Sequence, residues 1–260
     1  MDKKVSERKA NSPSGRPDCH SFIRSLFRSF DSMKFGVVVF PGSNCDQDAV
    51  DTLELMGQEV VKLWHKDHDL QGCDFIILPG GFSYGDYLRT GAVARFSPIM
   101  NEVIAHANRG GYLMGICNGF QVLAEARLVP GVLLRNANQQ YICKNIYLTP
   151  QSPDALLTAG LDRPSYKIPM AHGEGRYFAD ADTLKSLNDN QQVLFRYCDE
   201  TGAVTQAANP NGSLENIAGV TNKGKNVFGM MPHPERAADP ALGNTDGRLI
   251  MDQILKAVLV

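Results

Sequence analysis

The stretch YLMGICNGFQVLAEARL, residues 112–128, changes its pattern at Cys117. A short apolar run precedes the cysteine and is typical of a strand buried on both faces of a parallel sheet. The residues that follow repeat their apolar positions at helical spacing. Gly115 and Gly119 flank the cysteine in the spacing of a nucleophile elbow, a sharp turn that needs residues without a Cβ atom. The stretch therefore predicts a strand, a tight turn that pushes a thiol out of the sheet, and a helix.

The alternation of apolar runs and amphipathic stretches extends to both sides of this elbow. Upstream, strands and helices are predicted to alternate over 35–40, 48–57, 59–64, 73–81 and 98–111. This order predicts an α/β fold with a doubly wound, mostly parallel sheet flanked by helices. Downstream, shorter runs between Gly, Pro and Asn turns predict some antiparallel strands, then a last strand and a final helix: 141–149, 166–178, 192–198, 216–222, 226–231 and 247–259. Ligands of such sheets bind at the carboxyl ends of the strands.

Composition excludes several classes of function. The 260 residues carry a formal net charge of −2, which offers no basic field for nucleic acid, and no apolar run is long enough to cross a membrane. Six cysteines without a CxxC pair indicate reduced thiols in a cytoplasmic protein. Residues 1–32 are rich in Ser, Arg and Lys and are predicted to form a disordered extension ahead of one domain at 33–260. The acidic residues of the extension argue against a transit peptide.

Two cysteines lie between a strand and a helix. At Cys117 the positive end of the helix dipole favours the thiolate, so this residue is the predicted nucleophile, the alternative being a small packing residue. At Cys45, Asp46 and Asp48 should raise the pKa of the thiol and suppress the thiolate. Polar side chains near Cys45 are instead predicted to cap the helix: Ser43, Asn44 or Asp46. Three further cysteines are expected to pack in or beside strands, and a fourth lies in the extension: Cys73, Cys143, Cys198 and Cys19.

A cysteine nucleophile needs a base that is oriented by a third group. The motif PHPER places His233 and Glu235 on the same side of an extended segment that Pro234 makes rigid. The motif AHGEGR offers His172 and Glu174, but its glycines should let the segment adopt many conformations, which suits a binding loop. His233 and Glu235 are therefore the predicted base and orienting carboxylate. His172 stays open as a binding residue or a buried packing residue.

A glycine-rich loop, LPGGFSYGDYLRTGA at 78–92, follows the third predicted strand. Backbone amides around Gly80 and Gly81, together with that of Asn118, are predicted to form an oxyanion hole. The loop matches neither GxGxxG nor GxxxxGK[ST], so it is not expected to bind a nucleotide. The sequence also contains no metal-ligand spacing, and no cofactor or metal is expected in this chain.

Five motifs, in order, carry a resemblance: FPGSNCD, PGGFSYGDYLR, GICNGFQVL, AHGEGR and GMMPHPERA. The chain resembles the class I glutamine amidotransferases. Over residues 33–260 it is similar in particular to the stand-alone glutaminase subunits of phosphoribosylformylglycinamidine synthase. The resemblance implies that Cys117 attacks the side-chain amide of L-glutamine, that His233 moves protons and that Glu235 holds the imidazole.

The resemblance implies further roles around this site. Backbone amides of Gly81 and Asn118 would hold the oxyanion, and Gly80 and Gln121 would contact the substrate. The family passes ammonia to a large synthetase subunit, which binds ATP and Mg²⁺ and converts formylglycinamide ribonucleotide to the amidine in purine (IMP) biosynthesis. A small third subunit bridges the two. Four residues in two loops are candidates for the rim of the active site or for contact with a partner: Arg89, His172, Glu174 and Arg176.

One departure and two alternatives accompany the resemblance. Gln140 stands where the family commonly carries Lys or Arg, so a charge contact of that strand with a partner or substrate is not expected from the resemblance. A hydrolase of the same fold would share the triad but act alone. A redox sensor would oxidise Cys117 reversibly and would not need His233 or Glu235. Replacement of His233 by alanine distinguishes the sensor from both enzymes.

Overall fold

The computed structural model describes residues 33–256, and the predicted extension with Cys19 lies outside them. The strands are β1 (Lys34–Val39), β2 (Glu59–Trp64), β3 (Phe75–Leu78), β4 (Tyr112–Ile116), β5 (Val132–Leu134), β6 (Ile142–Pro150), β7 (Tyr166–His172), β8 (Arg176–Phe178), β9 (Val193–Cys198), β10 (Ile217–Thr221) and β11 (Val227–Met230). The α-helices are α1 (Asp46–Leu55), α2 (Ile99–Asn108), α3 (Asn118–Glu125), α4 (Ala181–Asp189) and α5 (Asp246–Lys256).

Within residues 33–256, nine strands form one mixed sheet in the order β2, β1, β3, β4, β11, β10, β9, β6, β7. The strands from β2 to β11 pair in parallel, and those from β11 to β7 pair antiparallel. A separate antiparallel pair joins β5 to β8. The predicted α/β fold, with its parallel first half and antiparallel second half, is confirmed.

The register of the central strands brings their carboxyl ends to one level. Leu78 of β3 pairs with Gly115 of β4, and Gly229 of β11 pairs with the same glycine. Beneath them, a row of aromatic rings crosses β1, β3, β4 and β11, with centroid distances of 5.4, 6.0 and 6.4 Å: Phe35, Phe75, Tyr112 and Phe228. Such cross-strand pairs stabilise the register. The loops after β3, β4 and β11 consequently meet at one edge of the sheet.

The second half differs from the sequence prediction in two places. The predicted strand 166–178 is split, because β7 lies in the large sheet and β8 pairs with β5. Helix α4 was absent from the prediction, although the Asp180 side chain caps it by accepting a hydrogen bond from the Thr183 amide at 2.8 Å. No helix within residues 33–256 combines the length and the apolar character needed to span a membrane.

Candidate active site

The elbow predicted around Cys117 is present between β4 and α3. Cys117 has φ 50° and ψ −106°, a conformation that a non-glycine residue holds at a cost of about 1–3 kcal/mol. Its flanking glycines are required by close backbone contacts. A Cβ atom on Gly115 would lie 2.6 Å from the carbonyl of Gly119, and one on Gly119 would lie 1.9 Å from the carbonyl oxygen of Leu78. The sharp turn therefore depends on both glycines.

His233 and Glu235 follow β11, the parallel neighbour of β4. The imidazole Nδ1 of His233 lies 2.6 Å from Oε1 of Glu235, and both side chains are about 1% exposed. The backbone amide of His233 donates to the carbonyl of Pro169 at 2.8 Å, which fixes the residue against β7. The predicted extended segment is wrong, since Pro234–Ala237 form a 3₁₀ turn. The turn still places the two side chains together.

The side chains of Cys117 and His233 converge on Gly80. A Cβ atom there would lie 2.7 Å from Cε1 of His233 and 3.4 Å from Cβ of Cys117. Within residues 33–256, Nε2 of His233 has no hydrogen-bond partner, so the nitrogen opposite Glu235 is left for a reacting group. Burial lowers the pKa of His233, but the charges of Glu235 and of Cys117 outweigh it and raise the pKa to about 10. The site therefore favours the protonated imidazole of His233.

Cys45 lies beside the same glycine but in a different environment. Its sulfur would be 3.2 Å from a Cβ on Gly80, and Nη2 of Arg236 donates to it at 3.1 Å. The pKa of Cys45 is raised to about 12, chiefly by burial, with smaller contributions from Glu235, Cys117 and Asp48. The predicted direction is confirmed, but burial rather than the aspartates is its main cause.

Two other expectations about cysteines and their surroundings are wrong. Helix α1 begins after Cys45 without any side-chain cap, so the predicted capping by Ser43, Asn44 or Asp46 is not present. Cys143 is exposed, whereas Cys73 and Cys198 are buried as expected. Cys143 lies on β6, in a part of the strand whose side chains are exposed. The apolar residues in the sequence around Cys143 do not indicate this exposure.

Gly81 lines the same cavity as Cys117, and Asn118 is the next residue after the cysteine in the chain. Gly81 has φ 135°, and a Cβ atom there would be 2.6 Å from the amide of Asn44, so only glycine fits. Asn118 is the first residue of α3, where the amides have no partner within the helix. Within residues 33–256, neither of these two amides donates a hydrogen bond to a protein acceptor. Both are therefore free to bind an oxyanion.

A cavity of about 190 Å³ opens over the thiol. The residues lining it include Gly81, Phe82, Asp86, Thr90, Cys117, Gln121, Tyr141, His172, Glu174, His233 and Arg236. Gln121 reaches it from α3 and donates to the carbonyl of Glu174. Two rim candidates lie elsewhere: Arg89 pairs with Glu125 at 2.5 Å beside a separate cavity of about 710 Å³, and Arg176 lies on β8.

His172 is buried and held in place, so the predicted flexibility of its loop is wrong. The side chain of Asn136 donates to the carbonyl of His172 at 2.9 Å, and its oxygen accepts from Nδ1 of His172 at 3.1 Å and from the amide of Gly175 at 3.2 Å. A Cβ on Gly175 would lie 2.3 Å from the imidazole. The glycine serves close packing against the ring rather than conformational freedom.

The low pKa of His172 leads us to expect that the folded protein loses stability in acid. Burial and the nearby charge of His233 lower its pKa to about 3 from an ordinary value of 6.5. Between these values the unfolded chain binds a proton at this residue and the folded chain does not. The contribution of the neutral His172 to the free energy of unfolding is complete above pH 6.5. As the pH falls below 6.5, the free energy of unfolding should decrease by about 1.4 kcal/mol per pH unit.

The measurement is urea unfolding at pH 7, 6, 5 and 4. In His172→Asn this component of the pH dependence should be absent, and the free energy of unfolding should fall less steeply than in the unchanged protein. Equal slopes in the two proteins would show that His172 is not held neutral.

Sequence reasoning missed three residues that shape the site. These residues act through contacts with segments that are distant in sequence, and the sequence around each of them does not indicate those contacts: Asn136, Asp86 and Arg236. Among residues 33–256, no group of three or more His, Cys, Asp or Glu side chains is placed to hold a metal ion.

Comparisons with known proteins agree with the geometry. A family model described as CobB/CobQ-like glutamine amidotransferase domain matches residues 32–248. The chain is 57% identical to phosphoribosylformylglycinamidine synthase subunit PurQ of Synechocystis, over 82% of this chain and 96% of that protein. The PurQ subunit of Gloeobacter violaceus is 54% identical, over 87% and 99%.

A solved structure gives the same result for the fold. The structure of PurLQS from Thermotoga maritima matches with a TM-score of 0.76 and 42% identity, over 87% of this chain and 99% of that chain. The residues that the family model matches include the elbow, the glycine-rich loop and the His233 turn. The chain therefore belongs to the CobB/CobQ-like glutamine amidotransferases and, within them, to the PurQ subunits of phosphoribosylformylglycinamidine synthase.

Proposed function

We propose that this chain hydrolyses the side-chain amide of L-glutamine and delivers the ammonia to a separate synthetase subunit in purine biosynthesis. The observation that supports it best is the position of His233, which pairs with Glu235 through Nδ1 and leaves Nε2 unpartnered beside Cys117. A thiol, a base and an orienting carboxylate are the groups that amide cleavage by covalent catalysis requires.

The first half of the reaction forms a thioester. The sulfur of Cys117 bonds to the amide carbon of glutamine, and the carbonyl oxygen becomes an oxyanion that the amides of Gly81 and Asn118 stabilise. His233 holds the proton of the thiol and transfers it from Nε2 to the amide nitrogen. The carbon–nitrogen bond then breaks, and ammonia leaves.

The second half releases glutamate. Water attacks the thioester carbon while Nε2 of His233 takes a proton from it, and the same two amides hold the new oxyanion. The carbon–sulfur bond breaks, glutamate leaves, and the thiolate and imidazolium of the resting site are restored. Glu235 keeps the imidazole in one orientation through both halves, and Gln121 and Gly80 contact the substrate.

The proposed partners follow from the relatives. The similar structure from Thermotoga maritima is that of PurLQS, a name that combines this type of subunit with two others. We infer that a large synthetase subunit binds ATP, Mg²⁺ and formylglycinamide ribonucleotide, that a small subunit bridges it to this chain, and that the assembly is cytoplasmic. Arg89 and Arg176, which lie outside the lining of the cavity, are proposed to contact a partner.

Glutamine hydrolysis by the purified chain tests the proposal, first alone and then with the two partner subunits, ATP and formylglycinamide ribonucleotide. Weak hydrolysis that rises in the complex is the expected result. His233→Ala should lower the rate about 100- to 10,000-fold in both settings, because proton transfer contributes that much.

Two other results would contradict the proposal. Full activity that ignores the partners would identify an independent hydrolase of the same fold. No hydrolysis under any condition, with reversible oxidation of Cys117 that His233→Ala leaves unchanged, would identify a thiol sensor. Far-ultraviolet circular dichroism of the variant controls for misfolding.

A further inference from the structure

One carboxylate in the cavity has no role in the triad. Asp86 lines the cavity together with Cys117 and Glu174. It is the third of three consecutive residues with left-handed backbone, since Tyr84, Gly85 and Asp86 have φ values of 54°, 67° and 54°. Two of the three are not glycine, and left-handed backbone is strained at such residues. Backbone strain of this kind is typical of functional sites.

Contacts on both sides hold the strained loop in place. The hydroxyl of Tyr84 lies 2.6 Å from Nδ1 of His65 and 2.8 Å from the hydroxyl of Ser97. The amide of Ser83 donates to the side-chain oxygen of Asn118 at 3.2 Å, which ties the loop to the first residue of α3. Asp86 is therefore positioned against the cavity by a rigid loop.

Asp86 lacks a cation. Within residues 33–256, no ion pair includes it, and its closest polar contact is Nδ2 of Asn118, at 3.4 Å. Burial and the charge of Glu174 raise the pKa of Asp86 to about 6. Glu174, by contrast, is balanced by Arg135 at 3.4 Å and accepts a hydrogen bond from Thr90 at 3.1 Å. The cavity thus contains one carboxylate that forms no ion pair with any of the residues 33–256.

Two unpartnered imidazole nitrogens support the binding of a polar ligand in the cavity. Nε2 of His172 and Nε2 of His233 are buried, and neither has a hydrogen-bond partner within residues 33–256. Both side chains line the cavity, and they are 3% and 1% exposed. Buried polar atoms without a protein partner are rare, and a catalytic or binding role is one reason why they occur.

We propose that Asp86 binds the α-ammonium group of the substrate and so selects an α-amino acid amide over amides that lack this charge. The inference rests on the proposed function, because L-glutamine carries its reactive amide at one end and its ammonium at the other. With the amide at Cys117, the ammonium meets the carboxylate of Asp86. A hydrogen bond between charged groups at such a half-buried site is stronger than one between neutral groups.

The test compares two substrates of the assembled complex. L-glutamine is measured against 4-carbamoylbutanoate, which is glutamine without its α-amino group. Asp86→Asn keeps the size of the side chain, and Asn adopts left-handed backbone readily, so the loop should be preserved. Asp154→Asn, at an exposed ion pair with Lys225 remote from the cavity, is the matched control. Glu174→Gln removes the charge of the second carboxylate of the cavity, so that its effect can be compared with that of Asp86→Asn.

Asp86→Asn should lower kcat/KM for L-glutamine about 10- to 100-fold, mainly through KM, and should leave kcat/KM for 4-carbamoylbutanoate within about threefold. The preference for L-glutamine then collapses, while Asp154→Asn retains it. An equal loss for both substrates would overturn the proposal and make Asp86 a structural residue. A larger loss of preference in Glu174→Gln would also overturn it. Absence of hydrolysis in the unchanged complex would instead refute the proposed function.

Discussion

Replacement of Cys117 by alanine is expected to lower glutamine hydrolysis by at least about four orders of magnitude, because the second thiol that lines the cavity, that of Cys45, has a pKa raised to about 12 and is a poor nucleophile. The variant should still fold, since alanine keeps the Cβ atom and the strained backbone of the elbow. Ammonia release by the complex with its partners measures the loss. Mass spectrometry of acid-quenched protein should detect the glutamyl adduct on the unchanged chain and not on the variant.

Cys45→Ala is the matched control for this experiment. Cys45 is a second buried thiol next to Gly80, but its pKa is raised to about 12 and the side chain of Arg236 donates a hydrogen bond to its sulfur. We expect this variant to retain hydrolysis within about tenfold and to form the adduct. The opposite result, an active Cys117→Ala and an inactive Cys45→Ala that forms no adduct, would move the nucleophile to Cys45.

Gly119→Ala is expected to destabilise the fold severely. The added Cβ atom would lie 1.9 Å from the carbonyl oxygen and 2.6 Å from the carbonyl carbon of Leu78. Both atoms belong to the backbone of β3, so neither can turn aside as a flexible side chain would. Helix α3 has to move away from the sheet, and we expect a loss of about 4 kcal/mol or more in the free energy of unfolding.

Urea denaturation measures this loss, with Gly173→Ala as the control. A Cβ atom on Gly173 would meet only Cδ2 of Tyr141, at 3.7 Å, which is an ordinary contact. That substitution should change the free energy of unfolding by less than about 1 kcal/mol. Similar values for the two variants would show that the close approach of α3 to β3 is not required for stability.

The order of the elements in the first half could be predicted because each depends on neighbours in sequence. The elbow is the clearest case, since Gly115, Cys117 and Gly119 lie within five residues and their spacing predicts the sharp turn. The pairing of His233 with Glu235 was likewise local, although the 3₁₀ turn that joins them was not foreseen. The catalytic roles of these residues stay a prediction until the variants are measured.

What the sequence could not provide depends on distant partners. The segment that contains His172 looked flexible because glycines surround it, yet Asn136 fixes it from another loop. Cys45 looked like part of a helix cap, whereas Arg236, from the other end of the chain, determines its surroundings. The sequence alone predicted no role for Asp86. Residues that meet only in the folded chain leave no local pattern to interpret.

Because of the position of β11 in the sheet, glutamine hydrolysis requires that the sheet has folded completely. β11 is the last strand within residues 33–256, yet it pairs between β4 and β10 in the interior of the sheet. A ribosome releases β4 and its thiol long before the segment with His233 emerges. A growing chain therefore carries a nucleophile without its base and cannot consume glutamine. Hydrolysis begins only after the longest-range pairing in the sheet has formed, and its recovery during refolding should report that slow, non-local step.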